Sequence, residues 1–395
     1  MKLQDRRATD NKKLRVLYLI SHFKLGGAEI CTFELSNLLN QSLEIGVAVV
    51  LGNDDTNASQ CLTQRAKNNG VAIFTGVNCP LKFGGFLAAA FRLRRVVRDF
   101  RPDIVHVNTE IPELVYVLSL CLDKSIRNIP VIRTIHNTAL WPRWSSIGAW
   151  CERYLGGASV IYVSDAVRNS FEEWRSACGM NLIKGGQTIY NPIIVPRVRK
   201  LLLNKRVRQG CVRLLFAGRF DFQKGFDLLP DILKHIDIPP NTKLALSIYG
   251  EGAGRSILEQ LRDSPPPGWQ INLASTNPHL VRELPEHDIL LFPSRFEGYG
   301  RLAAEGVLAG IPVVAFSIPA LSEIFPQDYP WLATYHKTDV MEYSKKISLL
   351  IRSLDRAQEV VDAARKNLSD RIAPEKIALD YFRLYERVAT EINEN

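Results

Sequence analysis

Short apolar runs alternate with longer amphipathic stretches along almost the whole chain. In runs such as RVLYLI near the start, every position after the first arginine is apolar or aromatic, which is typical of strands that are buried on both faces of a parallel sheet. The stretches between the runs repeat apolar residues at helical spacing. The alternation predicts an α/β fold built from parallel βαβ units.

The first series of alternating elements occupies the N-terminal half. Its first strand runs through a glycine-containing turn, SHFKLGGAE, into a helical pattern, which is the opening unit of a doubly wound sheet. Free N–H groups at such a turn can bind a phosphate. The predicted strands are 15–20, 46–51, 71–74, 104–107, 131–135 and 159–163, and the predicted helices are 30–39, 59–68, 86–100, 113–121, 145–155 and 165–174.

A second series begins after residues 192–210, where Pro, Arg and Lys predominate without a clear strand and a linker is predicted. A chain of 395 residues also exceeds what one hydrophobic core usually serves. We therefore expect two doubly wound, Rossmann-like domains, 1–200 and 201–374, followed by a C-terminal helical segment, 375–395. In the second domain the predicted strands are 213–217, 244–249, 270–273, 289–292 and 312–316, and the predicted helices are 226–235, 255–261 and 302–309.

Composition narrows the class of protein. Hydrophobic residues make up 46% and charged residues 23% of the chain, as in ordinary globular proteins. The first apolar run is too short for a signal peptide and no later run has the 18 or so apolar residues of a membrane span, so we expect a cytoplasmic protein. The seven cysteines include no CxxC pair, which favours neither a disulfide framework nor a zinc site.

The net charge of +9 is unevenly distributed. Residues 1–200 hold 26 Lys and Arg against 16 Asp and Glu, whereas residues 201–395 hold 24 against 25. This asymmetry suggests an anionic partner for the first half, such as phospholipid, a lipid pyrophosphate or nucleic acid. A generally basic, solvated surface is the alternative, and no helix-turn-helix, RNP or zinc pattern supports nucleic acid.

Two segments of the second domain carry candidate chemistry. GRFDFQKG follows strand 213–217 at the carboxyl edge of the predicted sheet, where ligands of doubly wound sheets bind. Arg219 and Lys224 in it could bring two cations to one diphosphate, or be solvated loop residues. PSRFEGYGRLAAEGVLAGIPVVA holds Glu297 and Glu305 with seven residues between them. Glu297 would end a loop and Glu305 would lie about two turns into a helix, so they need not contact the same group.

Both segments resemble the signatures of family 4 retaining glycosyltransferases, which have the GT-B fold with two Rossmann-like domains facing across a cleft. The resemblance implies that Arg219, Lys224 and the loop after Gly218 hold the diphosphate of a nucleotide sugar. It implies that Glu297 binds sugar hydroxyls and Glu305 the ribose. Gly298, Tyr299 and Gly300 would then present N–H groups to the diphosphate at a helix N-terminus.

The first domain adds weaker matches to the same family. Gly26 and Gly27 in GGAE correspond to the loop that approaches the donor phosphates and the acceptor, and His136 in TIHN would face the cleft near the reacting carbon. His106, Ser164 and Asn191 also fit family positions, although a satisfied strand histidine is an equal interpretation of His106. By the same resemblance, helix 375–395 crosses back to the first domain.

Two positions depart from the family pattern. Arg301 follows EGYG where an apolar residue is usual, and Gly306 follows Glu305 where alanine is usual. An arginine beside the diphosphate would add a phosphate contact or point outward, and the sequence leaves both open.

The resemblance implies a retaining transferase that moves a sugar from a UDP- or GDP-sugar to a glycan or lipid-linked acceptor in bacterial cell-surface polysaccharide or lipopolysaccharide synthesis. No D-x-D spacing occurs, so we expect neither a metal nor another cofactor. A GT-B sugar phosphorylase or synthase and a non-catalytic partner subunit are the alternatives. We expect residues 275–280 to contact the base of the donor nucleotide, but their sequence does not indicate which base is bound.

The helix predicted at 86–100 bears on the acceptor. It combines an apolar stripe with four arginines, so it would either lie on an anionic bilayer as a peripheral contact or pack on the sheet as a crossover helix. The stripe consists of Phe86, Leu87, Ala90, Leu93 and Val97.

Overall fold

The structure is a computed structural model, and it describes residues 13–22, 26–52, 57–78, 84–142, 144–195, 210–335 and 340–391. The chain divides into two compact units: Met1–Pro192 with Pro374–Asn395, and Ile193–Ala373. Most of the predicted linker, residues 196–209, lies outside the described residues.

The first unit contains a seven-stranded parallel sheet with the order β3-β2-β1-β4-β5-β6-β7. The order reverses between β1 and β4, and ligands of doubly wound sheets bind at such a point. The strands are β1 Arg15–Ile20, β2 Glu44–Val49, β3 Ala72–Phe74, β4 Ile104–Asn108, β5 Val131–Ile135, β6 Ser159–Tyr162 and β7 Gln187–Thr188. The helices are α1 Gly27–Leu39, α2 Asn57–Asn68, α3 Gly85–Phe100, α4 Glu110–Leu122, α5 Ser145–Leu155 and α6 Asp165–Ala177.

The second unit contains a six-stranded parallel sheet with the order β10-β9-β8-β11-β12-β13, which reverses between β8 and β11. The strands are β8 Cys211–Ala217, β9 Lys243–Tyr249, β10 Trp269–Ala274, β11 Ile289–Phe292, β12 Val313–Ser317 and β13 Leu332–Thr334. The helices are α7 Leu229–Lys234, α8 Arg255–Asp263, α9 Leu280–Glu283, α10 Arg301–Ala309, α11 Val340–Arg352 and α12 Leu354–Arg371.

The prediction of two doubly wound domains is confirmed. Every strand predicted from an apolar run is present, with ends that shift by a few residues. The pattern missed β7 and β13, which are two and three residues long, and also α9, α11 and α12. The apolar periodicity of helix α12 is weak in the sequence because two of its five buried residues are alanine.

The last helix, α13 Pro374–Glu391, packs in the first unit against α1 and β4. Its buried side chains include Ile377, Tyr381, Leu384 and Val388, which share one face of the helix. Tyr385 on this helix donates or accepts a hydrogen bond with Tyr18 of β1 (2.6 Å) and with Nδ1 of His106 of β4 (2.7 Å). The helix is therefore tied to the sheet by a buried polar network as well as by apolar packing.

Helix α3 is a crossover helix that packs on α4 and β2. Of the stripe that we considered for a bilayer, Ala90, Leu93 and Val97 are buried in the core of the first unit. They are not available to lipid, so the crossover interpretation of α3 is the right one. Only Leu87 from that stripe is well exposed.

A buried charge cluster joins the second half of the first sheet to its helices. Arg133 of β5 is fully buried and donates to Glu113 of α4 (2.8 Å) and to Glu152 of α5 (2.5 Å). Arg175 of α6 also pairs with Glu152. Burial raises the pKa of Glu113, and the Arg133 guanidinium opposes that shift. Two cations and two carboxylates are thus matched inside the unit.

Candidate functional site

The loop that follows β8 carries Arg219 and Lys224, the two cations that the sequence analysis identified as candidates. Arg219 is 69% exposed and lies 3.2 Å from the carboxylate of Asp221. Lys224 is 22% exposed, and its Nζ lies 2.6 Å from Oε1 of Glu297. The side chain of Lys224 also passes Gly218, where a Cβ would lie 3.3 Å from Lys224 Cγ. The structure therefore joins Lys224 directly to Glu297 and leaves the Arg219 side chain largely open to solvent.

Gly218 contributes space rather than a free amide to this loop. Its N–H donates to the carbonyl of Tyr249 (3.0 Å). A second glycine, Gly225, is the one that fixes the loop. Its φ is +67°, and a Cβ there would lie 2.0 Å from the carbonyl oxygen of Pro293, so only glycine fits this turn.

The β11 loop holds Glu297, Gly298, Tyr299 and Gly300, all of them buried. Gly300 has a φ of +86° and precedes α10 as its N-cap residue. A Cβ on it would lie 2.5 Å from Leu321 Cδ2. The glycine thus allows a sharp entry into α10, so that the positive end of the helix dipole lies at the loop that holds Glu297.

A clamp that the sequence did not reveal ties the two loops together. Arg295 donates to both carboxylate oxygens of Asp227, each at 2.7 Å. It also donates to the carbonyl of Phe222 (2.7 Å) and stacks 4.0 Å from the centre of the Phe222 ring. Gln223 adds a backbone bond with Arg295 (2.8 Å) and a side-chain bond to the carbonyl of Phe296 (3.1 Å). The signal in the sequence was one arginine in an otherwise apolar strand-to-loop segment, ILLFPSRF.

An open cavity of about 600 Å³ lies beside the loop that follows β8. Its lining includes Arg219, Asp221 and Asp227, and also Glu251 and Gly252 from the loop after β9. This volume falls in the range of small-molecule sites. It places the exposed Arg219 at the edge of a space that can hold a ligand.

Arg301 turns back along α10 rather than out to solvent. Its Nε lies 2.8 Å from Oε1 of Glu305, and the two side chains are 10% and 8% exposed. Burial raises the pKa of Glu305, whereas the Arg301 charge lowers it. Each of the two glutamates of the spaced pair is therefore held by a cation, Lys224 for Glu297 and Arg301 for Glu305.

The second unusual position, Gly306, has a packing explanation. A Cβ on Gly306 would lie 2.7 Å from Leu290 Cδ2 and 3.0 Å from Val313 Cγ2. Leu290 belongs to β11 and Val313 to β12. Glycine at this position lets α10 approach the sheet more closely than alanine would.

The segment expected to read the base is organised around one carboxylate. Glu283 of α9 accepts from Asn277 Nδ2 (2.7 Å) and from the hydroxyl of Tyr249 (2.8 Å). Asn277 in turn accepts from the N–H of His279 (2.8 Å). These bonds shape the loop between β10 and α9.

In the first unit, His136 follows β5 and its Nε2 lies 3.0 Å from Oδ1 of Asn108 at the end of β4. Burial lowers the pKa of His136 to about 4, so the ring is neutral near pH 7. Thr109, which follows Asn108 in the chain, has a φ of +70°, a conformation that non-glycine residues rarely adopt. Its hydroxyl lies 3.2 Å from that of Ser21, just past β1.

Asn108, Thr109 and Ser21 were not predicted, because no motif marks them. They gather with His136 at the carboxyl edge of the sheet, where the strand order reverses. Gly26 and Gly27 lie at the N-terminus of α1, the helix that follows β1. Residues 23–25 of the same loop lie outside the described part of the chain.

The other family-position residues have structural partners. His106 is buried with both ring nitrogens bonded, to Tyr385 and to Thr134 (2.7 Å each). Ser164 caps α6 by accepting from the N–H of Val167 (3.0 Å). Asn191 accepts from the thiol of Cys31 (3.0 Å). Of the two interpretations of His106, the satisfied strand histidine is the one that the structure shows.

The described residues offer neither a metal site nor a membrane-spanning helix. They contain no group of three His, Cys, Asp or Glu side chains arranged to hold a metal ion. No helix in the described ranges has the length and apolar character needed to cross a bilayer.

Comparison with known proteins matches both halves of the chain. Residues 25–180 match the domain family Glycosyltransferase Family 4, and residues 204–367 match Glycosyl transferases group 1. The chain is 31% identical over 170 residues to an uncharacterized 41.2 kDa protein in the cps region of Klebsiella pneumoniae, an alignment that covers 40% of this chain and 44% of that protein. It is 23% identical over 308 residues to the sulfoquinovosyl transferase SQD2 of Arabidopsis thaliana, which covers 71% and 56%. In both cases the match spans less than two thirds of the relative.

A crystal structure of HepE from Anabaena, solved in complex with UDP and glucose, has a TM-score of 0.75 to this chain at 17% identity, and covers 95% of this chain and 100% of that one. At that identity the likeness concerns the fold. The two matched domain families follow each other in chain order on two doubly wound sheets, and the chain therefore belongs to the family 4 glycosyltransferases of the GT-B fold.

Proposed function

We propose that the protein transfers a sugar from a nucleotide-diphosphate sugar to a hydroxyl of a glycan or lipid-linked acceptor, with retention of anomeric configuration. The observation that carries the proposal is the Lys224–Glu297 ion pair of 2.6 Å at the point where the second sheet reverses its strand order. It sets a cation for a diphosphate beside an acceptor of sugar hydroxyls.

The proposed donor contacts are those that the family resemblance implies, and the same geometry supports them. Arg219 and Lys224 hold the diphosphate, with N–H groups near Gly298, Tyr299 and Gly300 at the start of α10. Glu305 accepts hydrogen bonds from the ribose. The HepE structure contains UDP and glucose, which supports a UDP-sugar as the first donor to test, with GDP-sugars next.

The reaction is proposed to be a front-face substitution. The bond from the anomeric carbon to the diphosphate oxygen breaks, and a bond from the same carbon to the acceptor oxygen forms on the same face. The acceptor hydroxyl proton passes to the departing diphosphate oxygen. Lys224 and Arg219 stabilise the charge that develops on the diphosphate. The family resemblance assigns His136 to the sugar site, where its neutral ring would serve as a hydrogen-bonding group.

The first experiment is a thermal-shift and hydrolysis panel with UDP-, GDP- and ADP-sugars. Glu305→Ala should abolish the shift, whereas Glu259→Ala, a control on an exposed helix of the same unit, should retain it. Activity should survive a chelator because no metal is required in this scheme. A panel in which no nucleotide sugar shifts the wild-type protein would refute the donor assignment.

The second experiment tests the stereochemical course. Glu297→Gln should leave measurable turnover and no covalent sugar, and the product anomer read by NMR should match the donor. Recovery of a glycosylated peptide that contains Glu297 would overturn front-face substitution, because it would identify a covalent nucleophile.

Two alternatives have specific outcomes. A GT-B sugar phosphorylase would release or use a sugar phosphate, and a GT-B synthase would act on a free sugar as acceptor. A partner subunit would bind no donor despite intact Arg219, Lys224, Glu297 and Glu305. The donor panel, run with and without inorganic phosphate, separates these cases from the transferase.

The acceptor is proposed to be a growing lipid-linked glycan or lipopolysaccharide of a bacterial cell surface. The first half of the chain carries the basic excess, and a relative of the chain is a protein in a cps region. Both support an anionic, membrane-linked acceptor. The protein would then work at the inner face of the membrane as a peripheral protein.

A surface formed by α3 and α5 supports contact with the membrane better than the apolar stripe of α3, which is mostly buried. Both helices pack on α4, and a ring contact of 6.1 Å joins Phe86 to Trp144 at their N-terminal ends. The exposed apolar side chains on this surface are Leu87, Phe91, Trp144, Ile147 and Tyr154. Exposed arginines lie among them, namely Arg92, Arg95, Arg98 and Arg153. Aromatic and cationic side chains together are typical of contacts with anionic lipid.

Vesicle flotation tests the contact. Wild-type protein should float with vesicles of mixed anionic and zwitterionic lipid at low salt, and less at high salt. The Phe91→Ser/Ile147→Ser variant should stay in solution. Met341→Ser/Leu349→Ser, which removes two apolar residues of α11 that are at least as exposed, should float like the wild type. Absence of wild-type binding at low salt would rule the contact out.

A further inference from the structure

The ion pair between Arg301 and Glu305 lies at the start of α10, where the β11 loop ends. Both side chains are about nine-tenths buried, and the contact is a direct one, Nε to Oε1 at 2.8 Å. Arg301 engages one oxygen of the Glu305 carboxylate in this contact. Its neighbours toward the N-terminus are Gly300, Tyr299 and Gly298, the residues proposed to meet the diphosphate.

Helix stability does not explain the pair. Arg301 is the first residue of α10, so its charge lies near the positive end of the helix dipole, which disfavours a cation. The order Arg then Glu at i, i+4 is also the weaker one. Taking two charges out of water offsets much of their attraction. Local helix energetics therefore give no reason for burying this pair.

A second pair in the same unit makes the comparison direct. Arg255 is the first residue of α8, and its Nε lies 3.0 Å from Oε1 of Glu259, again at i, i+4. Its two side chains are 37% and 42% exposed. The two pairs share spacing, helix position and atoms, and they differ in burial and in their distance along the chain from the candidate site.

We propose that Arg301 is a positioning residue for donor binding: it holds the Glu305 carboxylate by one oxygen and directs the other oxygen to the ribose hydroxyls of the nucleotide. The inference rests on the function proposed above and extends it to a residue outside the family pattern. Burial raises the pKa of Glu305 and Arg301 opposes that shift, so the arginine also favours the carboxylate form that accepts hydrogen bonds.

The experiment measures nucleotide dissociation constants by calorimetry, with UDP, GDP and ADP as probes. For the nucleotide that binds the wild type, Arg301→Met should weaken binding about tenfold or more, as expected for loss of a charged hydrogen-bonding arrangement. Arg301→Lys should restore most of the affinity. Arg255→Met, the matched control, should bind like the wild type. In turnover assays the KM for the donor should rise more than kcat falls.

A double-mutant cycle separates action through Glu305 from direct contact with the ligand. If Arg301 acts through Glu305, Arg301→Met/Glu305→Gln should bind no more weakly than Glu305→Gln alone. Fully additive losses would overturn the inference and assign Arg301 to the ligand itself. Unchanged affinity in Arg301→Met would overturn it as well.

Separate controls test whether each variant folds and whether the wild type binds a nucleotide. Circular dichroism checks each variant, and if Arg301→Met does not fold, Arg301→Gln takes its place in the cycle. If the wild type binds none of the three nucleotides, the proposed function fails and this inference fails with it. If the wild type binds and Arg301→Met or Arg301→Gln binds equally, only the inference fails.

Discussion

The Arg295–Asp227 clamp allows a prediction whose size can be worked from the structure. Arg295→Ala removes two charge-assisted hydrogen bonds of 2.7 Å, a third bond to the carbonyl of Phe222, and a stacking contact of 4.0 Å. Arg295 is almost fully buried, whereas the Asp227 side chain is 33% exposed. The substitution therefore breaks a loop-to-loop connection without leaving a deeply buried unpaired charge.

Each charge-assisted hydrogen bond contributes about 1.5–3 kcal/mol when shielded, and solvent at Asp227 reduces this toward the lower end. Stacking on Phe222 adds about 0.5–1 kcal/mol. We expect Arg295→Ala to lower the free energy of unfolding by about 3–4 kcal/mol. About 2 kcal/mol of that should appear as coupling between Arg295 and Asp227 in a double-mutant cycle.

The assay is urea unfolding of the wild type, the two single alanine variants and the double variant. The Arg352–Asp237 pair of the same unit serves as control, because its side chains are 55% and 67% exposed; its coupling should be below about 0.5 kcal/mol. Donor turnover should also fall in Arg295→Ala, because the loop of Lys224 loses its anchor to the loop of Glu297. Coupling no larger than in the control pair, or full activity in Arg295→Ala, would refute the reasoning.

Three further predictions concern stability. Arg133→Met should lower the free energy of unfolding in urea by about 3–5 kcal/mol, because it leaves buried carboxylates short of a cation; a loss below about 1 kcal/mol would contradict the cluster. Burial lowers the pKa of His106 to about 3. As pH falls from about 6.5, the His106 imidazole is therefore protonated in the unfolded chain but not in the folded one, and stability is lost. The melting temperature of His106→Gln should drop less than that of the wild type between about pH 7 and pH 4.5. Gly225→Ala should destabilise far more than Gly70→Ala, since both have positive φ but only Gly225 has a backbone atom, the Pro293 oxygen at 2.0 Å, in the way; equal melting temperatures would remove the steric argument.

The amino-acid sequence alone was sufficient to predict the two doubly wound sheets and the loops that carry the candidate site. Strands that are buried on both faces of a parallel sheet are mostly apolar, so runs such as RVLYLI indicate them directly. Parallel strands require crossovers, and ligands of such sheets bind where the strands end. The positions of Arg219, Lys224, Glu297 and Glu305 on loops and a helix start followed from that rule.

Which of these groups come into contact depends on the three-dimensional fold. Lys224 and Glu297 are 73 residues apart, and Arg295 and Asp227 are 68 apart; they come together because β8 and β11 are neighbours in the sheet. Local patterning carries no record of that adjacency. The side of α3 that faces the core, and the turn of Arg301 onto Glu305 rather than toward solvent, were likewise set by packing against elements distant in sequence. Such contacts depend on how buried surfaces fit together, which a pattern of apolar and polar positions does not encode.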